Sequence, residues 1–94
     1  GFIFITDTDG KNVDTNEVFQ TYTGRTVAEL NGDRWMETVH EEDREAVAEA
    51  WEAAVKAGEI FEARQRFRRH DGEYRWFACR AQPERDDEGR IVRW

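Results

Sequence analysis

Apolar and polar residues alternate most regularly in two runs, 61–68 and 74–79, that flank an Asp-Gly pair. Period-two alternation on both sides of such a pair predicts a β-hairpin, because the tight turn needs a residue that tolerates positive φ. With a loop of two or four residues, Phe67, Tyr74 and Trp76 share one face, whereas a three-residue loop would swap the faces of one strand. We take the face with Phe67 and Trp76 as the core face and the arginine-bearing face as the outer one.

A helical period replaces the alternation over residues 41–57, where apolar positions follow i, i+3, i+4, i+7, i+8. Three carboxylates in the first turn favour the helix start, and Gly58 ends the helix. Shorter helical segments are predicted before it. Asn16 caps residues 17–22, Thr26 and Glu29 form a capping box, and Asp33 caps a third turn.

The remaining strands lie at the two ends of the chain. Residues 2–5 are apolar on both faces, which predicts a strand covered on both sides, and residues 11–15 predict a short edge strand. Pro83 ends the hairpin pairing, and residues 91–94 form the last strand. This order predicts a single α+β domain over residues 1–94, with helices on one face of an antiparallel sheet. Because the chain opens and stops on a strand, we expect it to be cut from a larger protein.

Four stretches together resemble a PAS domain of the type common in bacterial sensor proteins. They span nearly the whole chain in the right order: Thr23-Gly24, residues 34–44, residues 69–76 and residues 85–92. The resemblance implies a five-stranded antiparallel sheet whose first and last strands are adjacent at its centre, with short helices and one longer helix packed on one face. It also implies a pocket between the long helix and the sheet, and a signalling role that ends in a kinase or cyclase output domain.

The positions of the aromatic residues indicate the kind of ligand that the pocket would bind. They converge from separate segments onto the space between the long helix and the hairpin, and we expect a small, largely apolar or aromatic ligand there. The candidate lining residues are Phe19, Tyr22, Trp35, Trp51, Ala54, Gln65, Phe67 and Trp76. Tyr22 and Gln65 would be the inward polar groups. The alternative is that the rings pack solid and the domain is a ligand-free dimerisation module.

No particular cofactor is indicated. Flavin-binding light sensors of the superfamily carry their cysteine on the short helix before the long one, where this chain has Trp35-Met36-Glu37. Alternation instead puts Cys79 on the outer face, as a small packing residue. Haem-binding members use a histidine on the long helix, whereas His40 precedes it and is expected to serve the helix start. His70 is expected to be solvated in the hairpin turn, and no Cys/His set has metal-ligand spacing.

The outer face of the hairpin is the candidate partner surface. It carries Arg64, Arg66, Arg68, Arg75 and Phe77, in a chain whose formal net charge is −7. One interpretation is a solvated face balanced by nearby acids. The other is a docking surface for an acidic helix from a partner subunit or a flanking segment. We predict a homodimer through this face, and the net charge argues against nucleic-acid and membrane binding.

No catalytic arrangement is evident, since the chain lacks a nucleophile–base pair and a glycine-rich phosphate loop. No apolar run is long enough to span a bilayer, and we expect a cytoplasmic location. The prediction is therefore a non-catalytic sensory and dimerisation module, with any enzymatic output in the parent protein, for example within a two-component system.

Overall fold

A computed structural model describes residues 1–94 and confirms an α+β domain. Its elements are β1 (Phe4–Thr6), β2 (Asn12–Thr15), α1 (Glu17–Thr23), α2 (Val27–Leu30), a 3₁₀ helix (Arg34–Thr38), α3 (Glu41–Ala57), β3 (Phe61–Arg68), β4 (Tyr74–Ala81), β5 (Glu84–Arg85) and β6 (Ile91–Arg93). None of the helices combines the length and the apolar character that a bilayer crossing requires.

The strands form three antiparallel pairs: β1 with β2, β3 with β4, and β5 with β6. Thr6 and Trp94 exchange backbone hydrogen bonds of 2.9 and 3.3 Å, so the first and last strands are neighbours, as the resemblance implied. Pro83 has no backbone N–H to donate and separates the short β5 from β4. No ladder of backbone hydrogen bonds joins β1 to β4.

The predicted helix signals match the structure with one exception. Thr26 and Glu29 form the capping box of α2, and Gly58 ends α3 in the left-handed conformation at φ 69°. Asp33 makes no side-chain cap for the 3₁₀ helix. Its carboxylate instead accepts a hydrogen bond from Lys11 Nζ at 2.5 Å, which ties the start of β2 to this segment.

The hairpin faces were predicted wrongly for β4, because the loop has three residues. Arg69 N–H donates to the Glu73 carbonyl at 2.7 Å, which leaves residues 70–72 as the loop, and Gly72 takes φ 89°. An odd loop length places Phe67 opposite Arg75 and Arg66 opposite Trp76.

This register exchanges the two sides of β4. Phe77, Cys79 and Ala81 are on the side of the core, whereas Tyr74 and Trp76 point outward, and Trp76 is 57% exposed.

The core lies between α3 and the sheet. Val47, Trp51 and Ala54 are the buried residues of α3, and the Trp51 ring meets Phe61 and Trp94 edge to face at 5.1 and 5.4 Å. On the outer side of the first strand Ile3 is 61% exposed, so the helices of this chain cover one side of that strand only.

Candidate functional site

A cavity of about 360 Å³ lies between the helices and the sheet, and a second concavity of about 370 Å³, lined mostly by polar residues, lies beside Gly10 and α3. Eleven of the 17 residues that line the cavity are hydrophobic, and they come from β1, α1, the 3₁₀ helix, α3, β3 and β4. A volume of this size lies in the range of small-molecule sites.

Aromatic rings form one wall around Phe2. Its ring centroid lies 4.8 Å from that of Phe19 and 4.7 Å from that of Phe77, and Phe67 adds a further ring at 6.3 Å. Edge-to-face and tilted contacts of this kind are favourable beyond the area they bury.

Trp51 forms the opposite wall with Phe4 and Phe61. Its indole N–H donates to the Gly10 carbonyl at 3.0 Å, so its polar atom is satisfied outside the cavity and its ring presents an apolar surface.

The buried polar residues of the lining are neutral. Gln65 is 1% exposed, and its Oε1 atom is buried without a hydrogen-bond partner. The Asn12 amide nitrogen donates to Thr15 Oγ1 at 3.0 Å and to the Leu30 carbonyl at 3.3 Å. No carboxylate borders the cavity, and the one charged side chain that does is Arg80.

The lining also includes residues on the other side of β4. Ala78 and Arg80 occupy outward-facing positions of β4 and also border the space. Phe2 and Phe77 contact each other between β1 and β4.

Five of the eight predicted lining residues border the cavity: Phe19, Trp35, Trp51, Gln65 and Phe67. Ala54 is buried but does not border it. Tyr22 lies beside it and donates its hydroxyl to the Phe67 carbonyl at 2.9 Å. Trp76 is on the outer face, so its assignment to the pocket is corrected by the three-residue loop.

Sequence reasoning did not predict several lining residues: Phe2, Phe4, Thr6, Asn12, Thr15, Phe61 and Phe77. Phe2 and Phe4 alternate along the first strand, a pattern that could have assigned them to one face. Asn12 and Thr15 could not have been found by alternation. A register shift between β1 and β2 skips Val13 and turns both of their side chains inward at a spacing of three.

Cys79 also borders the cavity, which corrects its predicted position on the outer face. Burial raises the pKa of the Cys79 thiol to about 11, so it is a neutral packing group at ordinary pH and a poor nucleophile. The 3₁₀ helix carries Trp35 into the lining and offers no thiol. The residues present therefore do not match the cysteine placement of the flavin-binding light sensors.

The two histidines take the positions predicted for them. His40 is the N-cap of α3, where its Nδ1 accepts a hydrogen bond from the Glu42 backbone N–H at 3.1 Å. Its ring packs on Tyr74 with centroids 4.6 Å apart. His70 is exposed in the hairpin loop.

The outer face keeps three of its five predicted residues. Arg64, Arg66 and Arg68 lie on it, whereas Arg75 and Phe77 are on the opposite side of the hairpin. In their place the face carries Tyr74 and Trp76.

The guanidinium groups of two arginines lie over the exposed Trp76 ring. The Arg66 and Arg64 guanidinium carbons lie 4.8 and 6.0 Å from its centroid, within the range of cation–π attraction. Arg66 is also paired with Asp43 and Glu42 of α3, whereas Arg64 has no carboxylate within salt-bridge distance.

Comparison with known proteins agrees with this architecture. The family model described as PAS fold matches residues 12–94. The protein y4lL of Sinorhizobium fredii is 31% identical over 72 residues, which is 77% of this chain and 9% of y4lL, so the chain spans only a small part of that relative.

Two solved structures superimpose over almost the whole chain. The N-terminal domain of a diguanylate cyclase with PAS/PAC sensor from Marinobacter aquaeolei has a TM-score of 0.82 at 20% identity, covering 98% of this chain and 86% of that one. A domain of a histidine kinase described as light and redox sensing, from Haloarcula marismortui, has a TM-score of 0.74 at 26% identity, covering 99% and 83%.

Proposed function

Since the chain belongs to the PAS fold family, we propose that it is a sensory module of a signalling protein and that it binds a small, largely apolar ligand in the cavity between α3 and the sheet. Binding would be relayed to an output domain such as a kinase or a cyclase in the parent protein. The domain itself would perform no catalysis.

The cavity carries this proposal. Aromatic rings from six segments border it without filling it, and a buried amide oxygen on Gln65 lacks a partner. An apolar cavity with a few convergent polar groups is the usual form of a ligand site. A solidly packed interaction module would have no such space.

The test is to purify the domain under native conditions, extract it, and identify bound small molecules by mass spectrometry. An aromatic fragment collection is then screened by thermal shift. A recovered molecule, or fragments that raise Tm, would support the proposal, and an empty extract with no stabilising fragment would contradict it.

Two leucine variants localise the effect. Cys79→Leu places bulk in the cavity and should abolish stabilisation by the fragments. Ala53→Leu adds similar bulk at an exposed position of α3 and should leave that stabilisation unchanged.

The outer face of the hairpin supports a second candidate function, homodimerisation. The specific observation is Trp76, a large apolar ring that is more than half exposed and held between two arginines. Exposed aromatic and arginine side chains are enriched in protein interfaces. Multi-angle light scattering should show a dimer that Trp76→Ala weakens and that Val18→Ala, at a comparably exposed position on α1, leaves intact. A monomer at high protein concentration would contradict this candidate.

A further inference from the structure

We propose that a small basic pocket between the end of α1 and the hairpin loop binds a phosphate group, either as inorganic phosphate or on a small phosphomonoester. The basic pocket shares no lining residue with the apolar cavity. Its lining contains no apolar and no acidic residue and consists of Thr23, Arg25, Thr38, Arg68, Arg69 and His70.

The size and chemistry of the basic pocket suit one such group. Its volume of about 70 Å³ is roughly that of two water molecules, so it admits a compact ion and excludes an occupant of the size that the apolar cavity would take. The lining carries guanidinium and imidazole groups, whose N–H donors are usual partners of phosphate oxygens.

Backbone contacts hold the two sides of the basic pocket together. The His70 N–H of the hairpin loop donates to the Tyr22 carbonyl of α1 at 2.7 Å. A Cβ built on Gly24 would lie 3.0 Å from the Cβ of His70, so the loop and the end of α1 are in direct contact. The basic pocket therefore exists without an anion in it.

Two of the arginines are oriented by carboxylates and keep free donors. Arg25 donates to Glu37 through Nη1 at 2.9 Å, which leaves its Nε and Nη2 without a partner. Arg69 donates to Asp71 through Nε and Nη2 at 2.9 and 2.5 Å, which leaves its Nη1 without one. Both guanidinium groups can thus donate to a further anion without losing the bonds that orient them.

Arg68 supplies the uncompensated charge. It is the last residue of β3 and has no carboxylate within salt-bridge distance, whereas its neighbours Arg69 and Arg75 both pair with Glu73. The formal net charge of the chain is −7, so most of its surface repels an anion. A phosphate group at this position would instead gain an opposite charge.

The basic side chains are not consumed in capping the end of α1. The Phe19 and Gln20 carbonyls accept hydrogen bonds from the Thr23 hydroxyl and the Gly24 N–H, at 2.9 and 2.8 Å. The Tyr22 carbonyl is satisfied by the loop, as described above. The arginine donors therefore remain available to a ligand.

The experiment titrates the domain with sodium phosphate and follows ¹H–¹⁵N correlation spectra, with sodium chloride at matched ionic strength as the reference. We expect saturable shifts of the amides of residues 23–25 and 68–70 with phosphate and none with chloride. Glycerol 3-phosphate is the second probe. Tighter binding of this ester than of inorganic phosphate would identify a phosphomonoester as the ligand, and the reverse order would identify the free ion.

Two arginine variants locate the site. Arg68→Gln keeps most of the side-chain length and removes the charge, so the phosphate affinity should fall about tenfold or more, as expected for a lost charge-assisted hydrogen bond. Arg64→Gln makes the same change on the same strand, at an arginine that also lacks a carboxylate partner but lies outside the basic pocket, and should change the affinity by less than about twofold.

Two results would overturn the proposal. Shifts that do not saturate, or that chloride reproduces, would show a general effect of salt. An equal loss of affinity in the two variants would show a diffuse attraction to the basic face instead of a site. Because Arg68 and Arg64 are both exposed, the variants should keep the Tm of the unsubstituted protein to within a few degrees, and the comparison of their affinities then decides the question.

Discussion

Trp51 of α3 donates its indole N–H to the carbonyl oxygen of Gly10, 41 positions earlier in the chain, at 3.0 Å. This bond fixes the long helix against the turn between β1 and β2. The approach is close enough that a Cβ built on Gly10 would lie 2.9 Å from both Trp51 Nε1 and Val55 Cγ2.

Gly10→Ala should therefore be strongly destabilising. Gly10 and Gly89 have almost the same positive φ, 81° and 80°, so an alanine at either position bears the left-handed backbone cost of about 1–2 kcal/mol. Of these two glycines, only Gly10 has side-chain atoms close to the position of an added Cβ. The resulting overpacking should lower the free energy of unfolding by a further amount of about 1–3 kcal/mol. Urea denaturation of the two alanine variants measures the difference, and equal midpoints would show that the contact is not tight.

The register of the hairpin predicts opposite outcomes for two adjacent aromatic residues. Phe77 packs on Phe2, Tyr22 and Phe67, whereas Trp76 is largely exposed. Phe77→Ala should lower the free energy of unfolding by about 2–4 kcal/mol and Trp76→Ala by less than about 1 kcal/mol. The reverse order in chemical denaturation would mean that the loop has an even number of residues.

The ion pair between Asp43 and Arg66 predicts a pH dependence. The Arg66 side chain donates to the Asp43 carboxylate at 2.8 and 3.0 Å and its backbone N–H donates at 2.9 Å, which lowers the pKa of Asp43 from 3.8 to about 2. The folded state thus binds this proton less readily than the unfolded state does. The stabilisation is complete above about pH 5 and is lost as the pH falls through 3.8 towards 2.

Asp43→Asn should cost about 1–2 kcal/mol at pH 7, after an allowance for solvent screening of this partly exposed pair, and its deficit should shrink towards pH 2. Glu41→Gln is the control, because Glu41 lies in the same helical turn without an arginine partner. Denaturation midpoints across the pH range provide the measurement, and a deficit independent of pH would contradict the assigned pKa.

Cys79 should react slowly with alkylating reagents. A thiol pKa of about 11 leaves roughly a hundredfold less thiolate at pH 8 than an ordinary cysteine has, and the side chain is also half-buried. The control moves the thiol by one position, in the double variant Ala78→Cys with Cys79→Ser, to the exposed side of β4. Iodoacetamide should label this variant much faster, and equal rates would place Cys79 at the surface.

Local signals predicted the helical half of the fold well. The capping box at Thr26, the acidic first turn of α3 and the terminating Gly58 each act within a few residues, so their effect is visible in the sequence. The fold class followed from the order of these elements.

Which side chains of β4 face the core depends on whether the hairpin loop has an even or an odd number of residues, and the Asp-Gly pair does not determine that number. The structure resolves it through the pairing of Arg69 with Glu73, a hydrogen bond that no periodicity reveals. Because the loop has an odd number of residues, Trp76 lies on the outer face instead of in the predicted pocket. Phe77 and Cys79 lie on the side of the sheet that faces the cavity. The neutral polar wall with Asn12 and Thr15 depended in the same way on a register shift in β2.

The start of α3 is connected to the outer face of the hairpin. The Arg66 guanidinium pairs with Asp43 and Glu42 of α3 and also lies 4.8 Å from the centroid of the exposed Trp76 ring, while the His40 ring at the N-cap of α3 packs on Tyr74. A partner that covered Trp76 and drew Arg66 away from the carboxylates would therefore also act on the first turn of the helix. Contact at the surface of the hairpin is in this way coupled to the N-terminal end of α3.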